Sequence, residues 1–135
     1  MNFDKSSNES LELTKSIEYL LKAERVLQTS HIYSNPASLS MVMIRISTYA
    51  GAVEEKLAEY EKNYEIKQAD LYRQYLREEK LSPTAAEKQV KIALGELKGN
   101  IAYLSRIVSS AWKQVSTCQS RVSHLNQEWN TGKHL

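Results

Sequence analysis

Toward the C-terminus the chain carries a ladder of twelve apolar positions: Val90, Leu94, Leu97, Ile101, Leu104, Val108, Ala111, Val115, Cys118, Val122, Leu125 and Trp129. Steps of four and three alternate without a miss, which keeps every rung on one stripe of a helix. The spacing predicts a single rod of roughly 60 Å at about 1.5 Å per residue. A rod of that length exists to pack lengthwise against another helix.

A second ladder supplies the partner. Leu39, Val42, Ile46, Tyr49, Val53, Leu57, Tyr60, Tyr64, Leu71 and Tyr75 follow Asn35-Pro36, an N-cap side chain and a proline at the first helical position. This helix is predicted to reach about Glu79. Its stripe turns aromatic and intermittent past Val53, where Glu54, Glu55, Glu59, Glu61 and Glu65 crowd in with Lys56 and Lys62. The restart at Lys80-Leu81-Ser82-Pro83-Thr84 offers two caps, Ser82 before Pro83 or a Thr84–Glu87 capping box. A connection this short folds the second and third helices back as antiparallel neighbours.

Upstream, Leu13, Ile17, Leu20, Leu21 and Leu27 define an apolar face from about Glu9 to Gln28, with Ser7 or Asn8 to cap it. The expected fold is therefore all-α: a long antiparallel helical hairpin, coiled-coil-like, with a shorter N-terminal helix packed on it. Residues 1–8 are read as a disordered N-terminus, 9–129 as one helical-hairpin domain, Thr29–Ser34 as a connector and 130–135 as a frayed tail.

Composition agrees with a few long helices, since 135 residues contain only four glycines and two prolines. No stretch approaches the roughly 18 consecutive apolar residues of a membrane span, and Met1–Lys5 lacks the features of a secretory signal. The expectation is a cytoplasmic protein. Cys118, the single cysteine, lies on the apolar stripe and reads as a small core residue under reducing conditions. His31, His124 and His134 show no ligand spacing with it, so neither a metal nor another cofactor is expected.

Charge is divided along the chain. Residues 1–79 hold 10 Lys/Arg against 13 Asp/Glu, whereas residues 80–135 hold 8 against 3. The acidic front and basic back suit an anionic partner or head-to-tail contact between subunits. Aromatics off the ladders sit among cations: Tyr72 with Lys67, Arg73, Arg77 and Lys80, and Tyr103 and Trp112 with Lys98, Arg106 and Lys113. Such interleaving can stack bases and neutralise phosphates of single-stranded DNA; it also occurs where tyrosines cover helix seams. Ala102, Ser109, Ser116 and Ser123 recur every seven residues on the third helix. That strip is either a tolerated solvent face or a site of close approach for the first helix or another subunit. Gly95 and Gly99 extend it and loosen the helix, at about 1 kcal/mol each.

Enzymatic signatures are missing. The sequence has no glycine-rich phosphate loop, no Gly-x-Ser-x-Gly elbow and no His-Glu-x-x-His pair. The carboxylates between Glu54 and Glu65 alternate with lysines as a solvated face does. Glu55 and Glu59 alone make no metal site.

Several segments resemble phage recombination mediators of the UvsY type: Tyr72 and Tyr75 near the end of the second helix, Leu81-Ser82-Pro83-Thr84, Asn100-Ile101-Ala102-Tyr103, and Ser120-Arg121 followed by Val122 and Leu125. The resemblance covers about residues 39–129. It implies single-stranded DNA binding, ring-like homo-oligomers, and assistance to a recombinase in displacing the single-strand-binding protein, in a host cytoplasm. The chain departs from that family just before the tyrosine pair, where Ala69, Asp70 and Leu71 replace basic residues; Lys67, Arg73 and Arg77 are the nearest substitutes. The alternative expectation is a non-enzymatic adaptor, or a small phage-encoded inhibitor, working through protein contact. Its acidic Glu54–Glu65 surface would imitate a phosphate backbone.

Overall fold

A computed structural model describes residues 7–29 and 35–133 of the protein. Four helices follow one another: α1 (Ser7–Thr29), α2 (Pro36–Arg77), α3 (Pro83–Ala93) and α4 (Gly95–Lys133). Residues 1–6, the connector 30–34 and residues 134–135, which include His31, Tyr33 and His134, lie outside the described part.

The hairpin is the frame. α2 packs most extensively on α4, α1 covers the pair, and α3 lies against the far half of α2. Glu54 of α2 meets Trp112 of α4, and Tyr72 lies level with Val90, so the two long helices run antiparallel. Tyr19 of α1 and Tyr49 of α2 bring their ring centroids to 4.4 Å with the planes tilted by 33°, while Leu13 lies beside Ala52; α1 therefore also opposes α2. Leu39, Ile46, Ala50 and Val53 from α2 and Leu104 and Cys118 from α4 are fully enclosed, joined by Leu13, Ile17, Leu20 and Leu27 from α1.

Local chemistry sets the boundaries. Asn35 has an extended backbone, φ −116° and ψ 105°, and its Oδ1 accepts the Ser38 N–H at 3.2 Å, with Pro36 opening α2. At the second restart Ser82 is the cap, its hydroxyl accepting the Ala85 N–H at 3.2 Å. Of the two predicted caps it is the one used, because Pro83 already fixes the next residue's φ for a helix. α2 closes at Arg77, two residues short of Glu79. Lys80 then takes the left-handed conformation with φ 53°, and the Leu81 N–H returns to the Tyr75 carbonyl at 3.0 Å.

Four expectations change. The third helix is not one rod: Leu94, with φ −102° and ψ 8°, leaves helical geometry and separates α3 from α4. Gly95 follows immediately and Gly99 one turn later, where helix propensity is lowest. The interruption is brief, since the Lys98 N–H donates to the Leu94 carbonyl at 2.9 Å and the Leu94 side chain stays buried. The apolar seam thus survives a backbone jog. Second, Leu21 is exposed, and Ala23 and Ser16 take buried places on α1; a helix seated against two others buries a stripe wider than its leucines, and the Ser16 hydroxyl is satisfied by the Glu12 carbonyl at 2.9 Å. Third, Ser7 and Asn8 belong to α1 itself rather than to a disordered leader. Residues 130–133 likewise continue α4. Fourth, α1 does not lie on the small-residue strip: Ala102, Ser109, Ser116 and Ser123 are exposed, and nothing among the described residues comes within 4 Å of a Cβ built on Gly95 or Gly99.

Candidate nucleic-acid interface

The ten residues singled out as DNA contacts fall into two groups, one around the hairpin tip and one along α4. At the hairpin tip, Lys67, Arg73, Arg77 and Lys80 are exposed and Tyr72 is half-buried. They do not form one basic surface. Arg73 is held by Asp70 at 3.1 Å, and the shallow groove carrying Arg73 and Arg77 is shared with Asp70 and Glu78. Tyr72 lies in a different groove, of about 550 Å³ between α2 and α3, where Glu65 and Glu87 face Lys91. Lys67 and Tyr72 are five residues apart, which turns them about 140° from each other on the helix. Lys80 serves the turn.

The second group lies on α4. Lys98, Arg106 and Lys113 are exposed and fall within an arc of about 80° at some 100° per residue, with axial separations of about 12 and 10 Å. Between them stand the exposed small residues Ala102, Ser105 and Ser109, with Ser116 just beyond, so the cations project from a smooth surface. Trp112 is at one edge of this face, 39% exposed, and its Nε1 donates to Glu54 Oε2 at 3.3 Å. Tyr103 is nine residues away and therefore on the opposite flank. The two aromatics bracket the core stripe and cannot share a face.

Tyr103 and Arg106 instead line a cavity of about 260 Å³ between α1 and α4, walled by Leu20, Leu21, Glu24, Ile107, Ser110 and Gln114. The Gln114 amide donates through Nε2 to Ser110 Oγ at 3.3 Å, and its Oε1 is buried without a hydrogen-bond partner. Sequence reading passed over this place because Gln114 and Ser110 are unremarkable polar residues until α1 covers them. It also passed over a simpler signal: residues 97–127 contain no aspartate or glutamate. That acid-free run makes the outer face of α4 cationic, whereas the tip is a mixture.

The carboxylates Glu54, Glu55, Glu59, Glu61 and Glu65 are all exposed along α2, with Lys56 bound to Glu59 at 3.2 Å. Among the described residues no group of three or more His, Cys, Asp or Glu is placed to hold a metal ion, and no helix is long and apolar enough to cross a membrane. Burial raises the Cys118 thiol above its ordinary pKa, so the nucleophilic thiolate is disfavoured there. Burial likewise raises Tyr19, partly opposed by the charge and hydrogen bond of Arg45. Cys118 belongs to the packed interior, and Tyr19, partly buried, packs against it. Apolar side chains remain outside it: Met41 and Ile44 near the start of α2, Ile66 farther along, and Ile92 on α3 are half-exposed or more.

Comparison with protein-family models, with curated proteins and with solved structures returned no match.

Proposed function

We propose that the protein is a non-enzymatic recombination mediator that binds single-stranded DNA as a homo-oligomer and helps to load a recombinase in the cytoplasm. The observation that carries this reading is the outer face of α4, where Lys98, Arg106 and Lys113 stand on a smooth surface within an acid-free run. A strand laid along it meets cations without carboxylates between them, and base stacking on Trp112 or Tyr103 adds a sequence-tolerant contribution of roughly 1–3 kcal/mol per base. Three cations per protomer make a weak site. Linking several copies on one strand raises the affinity without new contacts, and the apolar side chains left exposed on α2 and α3 supply surface for that assembly. The resemblance to UvsY-type mediators points the same way.

The test is fluorescence anisotropy with a labelled single strand over a salt series, with the oligomer mass measured in the same buffer. Replacing Lys98 and Lys113 by Ala should weaken binding and flatten the plot of log K against log salt by about 1.4, at about 0.7 for each phosphate no longer neutralised. An unchanged slope removes the α4 face from the interface. No binding by the native protein at low salt removes the mediator reading.

A second reading rests on the exposed α2 carboxylates. They form an acidic strip that a protein with a nucleic-acid-binding groove would accept, which suits an adaptor or inhibitor. Charge reversal at Glu55, Glu59 and Glu61 would then abolish partner capture; capture that persists eliminates the mimicry.

A further inference from the structure

We infer that the outer face of the first half of α2 is where two copies of this chain dimerise, antiparallel and related by a two-fold axis level with Ile46. The inference rests on the homo-oligomer in the reading above and gives it a contact surface. Residues 36–53 hold one charged side chain, Arg45, although 25% of the whole chain is charged. Arg45 is drawn to the flank, where it hydrogen-bonds Tyr19 of α1. Inward, this segment buries Leu39, Ile46, Ala50 and Val53. On the opposite side Ala37, Met41, Ile44, Thr48, Gly51 and Glu55 follow in steps of four and three, and all six are exposed. Met41 is 57% and Ile44 62% exposed. A helix with one neighbour is polar on its far side, whereas a helix apolar on both sides is covered on both. The Thr48 hydroxyl already donates to the Ile44 carbonyl at 3.0 Å, so covering it leaves its proton paired.

A second copy is the occupant because the stripe complements itself when reversed. With the axis level with Ile46, Met41 lies opposite the partner's Gly51, Ile44 opposite the partner's Thr48, and Ala37 opposite the partner's Glu55; each contact occurs twice. Gly51 offers the room for this, since nothing among the described residues comes within 4 Å of a Cβ built there. Within one chain that glycine only weakens the helix. Against a copy it lets a methionine reach the backbone. Charge selects the direction. α2 has no acidic residue in its first turn, and the antiparallel arrangement brings the partner's Glu55 to that positive end of the helix dipole. A parallel copy would set Glu55 against the partner's Glu55 and Met41 against the partner's Met41. The stripe is roughly 27 Å long and, at a helix diameter of about 10–12 Å, covers about 300 Å² in projection. That is below the ~800 Å² per partner of a standard interface, so the dimer is weak and reversible. Two protomers held on one strand would meet at a raised effective concentration.

The test is sedimentation velocity on the full chain without DNA, from about 10 μM to about 1 mM protein. The native protein should pass from monomer to dimer across that range. Gly51→Leu replaces a mid-helix glycine and fills the space opposite the partner's Met41. It should raise the melting temperature in dilute solution and yet weaken dimerisation about tenfold or more. Ile44→Lys, which puts a charge at an exposed rung, should weaken it as well with the circular dichroism unchanged. For the register, a mixture of Met41→Cys and Gly51→Cys chains should form disulfide-linked heterodimers in air faster than either forms homodimers; Cys118 is buried. Monomer at every concentration overturns the interface, as does an assembly whose mass both Gly51→Leu and Ile44→Lys leave unchanged. Homodimers that form as fast as the heterodimer overturn the antiparallel register. Anisotropy of a labelled single strand on the same samples keeps the two readings apart. Strand binding by a protein that stays monomeric overturns the dimer alone, while a dimer of the stated behaviour that binds no strand upholds this interface and removes the mediator reading.

Discussion

The half of the rod under α1 and the half at the hairpin tip are made of the same two long helices, yet they bury very different amounts. Between Leu39 and Tyr60, α2 places Leu39, Ile46, Ala50, Val53, Leu57 and Tyr60 in the interior; beyond Tyr60 it buries none. At the tip the enclosed residues come from the other strand of the hairpin, namely Ala86, Val90 and Leu94. A helix with one neighbour can cover only a narrow seam, whereas a helix with two covers a wide arc. The presence of α1 therefore decides where the stability lies. It also separates the two candidate interfaces. The supported half presents Arg106 and Lys113 of α4, with Glu54 at the Trp112 edge, and the α1–α4 cavity, while at the tip Arg73 is paired with Asp70 and Arg77 shares its groove with Glu78.

The strongest way to break this contrast is to put amides into the supported seam. Val108→Gln with Val115→Gln buries two unpaired polar groups at positions only 7% exposed, each at about 1–3 kcal/mol on top of the lost apolar burial. Loss of the cooperative helical melt is expected by circular dichroism. Ile92→Gln at the tip, 73% exposed, should change stability by no more than about 0.5 kcal/mol. If the double variant keeps full helicity and its melting temperature, the seam is not what holds the molecule together.

A milder pair measures the gradient itself. Leu104 is fully enclosed in the core and Leu71 is half-buried toward the tip. Leu104→Ala should lose about 3–4 kcal/mol, from transfer and from the cavity left behind. Leu71→Ala should lose roughly 1 kcal/mol, in proportion to the smaller area removed from water. Urea denaturation of the two variants checks this. Similar losses would mean that the tip is as tightly packed as the centre.

The rungs of both ladders were legible because helical period needs only the sequence, and Leu104, Val108, Ala111, Val115 and Cys118 are buried as their spacing requires. The hairpin, the short turn and the Asn35-Pro36 start were legible for the same local reasons. Ile107, Ala50 and Ala86 were not on either ladder, yet they are buried. Ala50 and Ile107 fill arcs that become interior when α1 arrives, and Ala86 sits one turn before Val90 in the seam between α3 and α2; each placement is tertiary. The break at Leu94 lay between two signals of opposite sense: an uninterrupted apolar stripe, and glycines at 95 and 99. Backbone propensity interrupted the helix while the side chains kept the seam. Among the candidate contacts, residue type gave all ten positions equal standing. Only the rotation about each helix separates Lys98, Arg106 and Lys113, which share a face, from Lys67, Tyr72 and Arg73, which do not.

Lys80 is where the tip can be strengthened and the contrast between the halves reduced. Its φ of 53° puts an L side chain in the left-handed region, at the bend that lets the Leu81 N–H reach the Tyr75 carbonyl. A left-handed residue with a Cβ costs roughly 1–2 kcal/mol, and glycine removes that cost while losing about 0.5–1 kcal/mol through its freer unfolded chain. Lys80→Gly should therefore stabilise the protein by roughly 0.5 kcal/mol, a rise of about 2 °C in melting temperature for a chain of this size. The same variant speaks to function, because it removes one of the ten candidate contacts without disturbing the turn. Single-strand affinity should stay within about twofold of the native protein, since the strand is proposed to lie on α4. A higher melting temperature together with a clear loss of DNA binding would instead move the interface to the tip, where Lys80 would act alongside Arg73 and Arg77 despite the carboxylates among them.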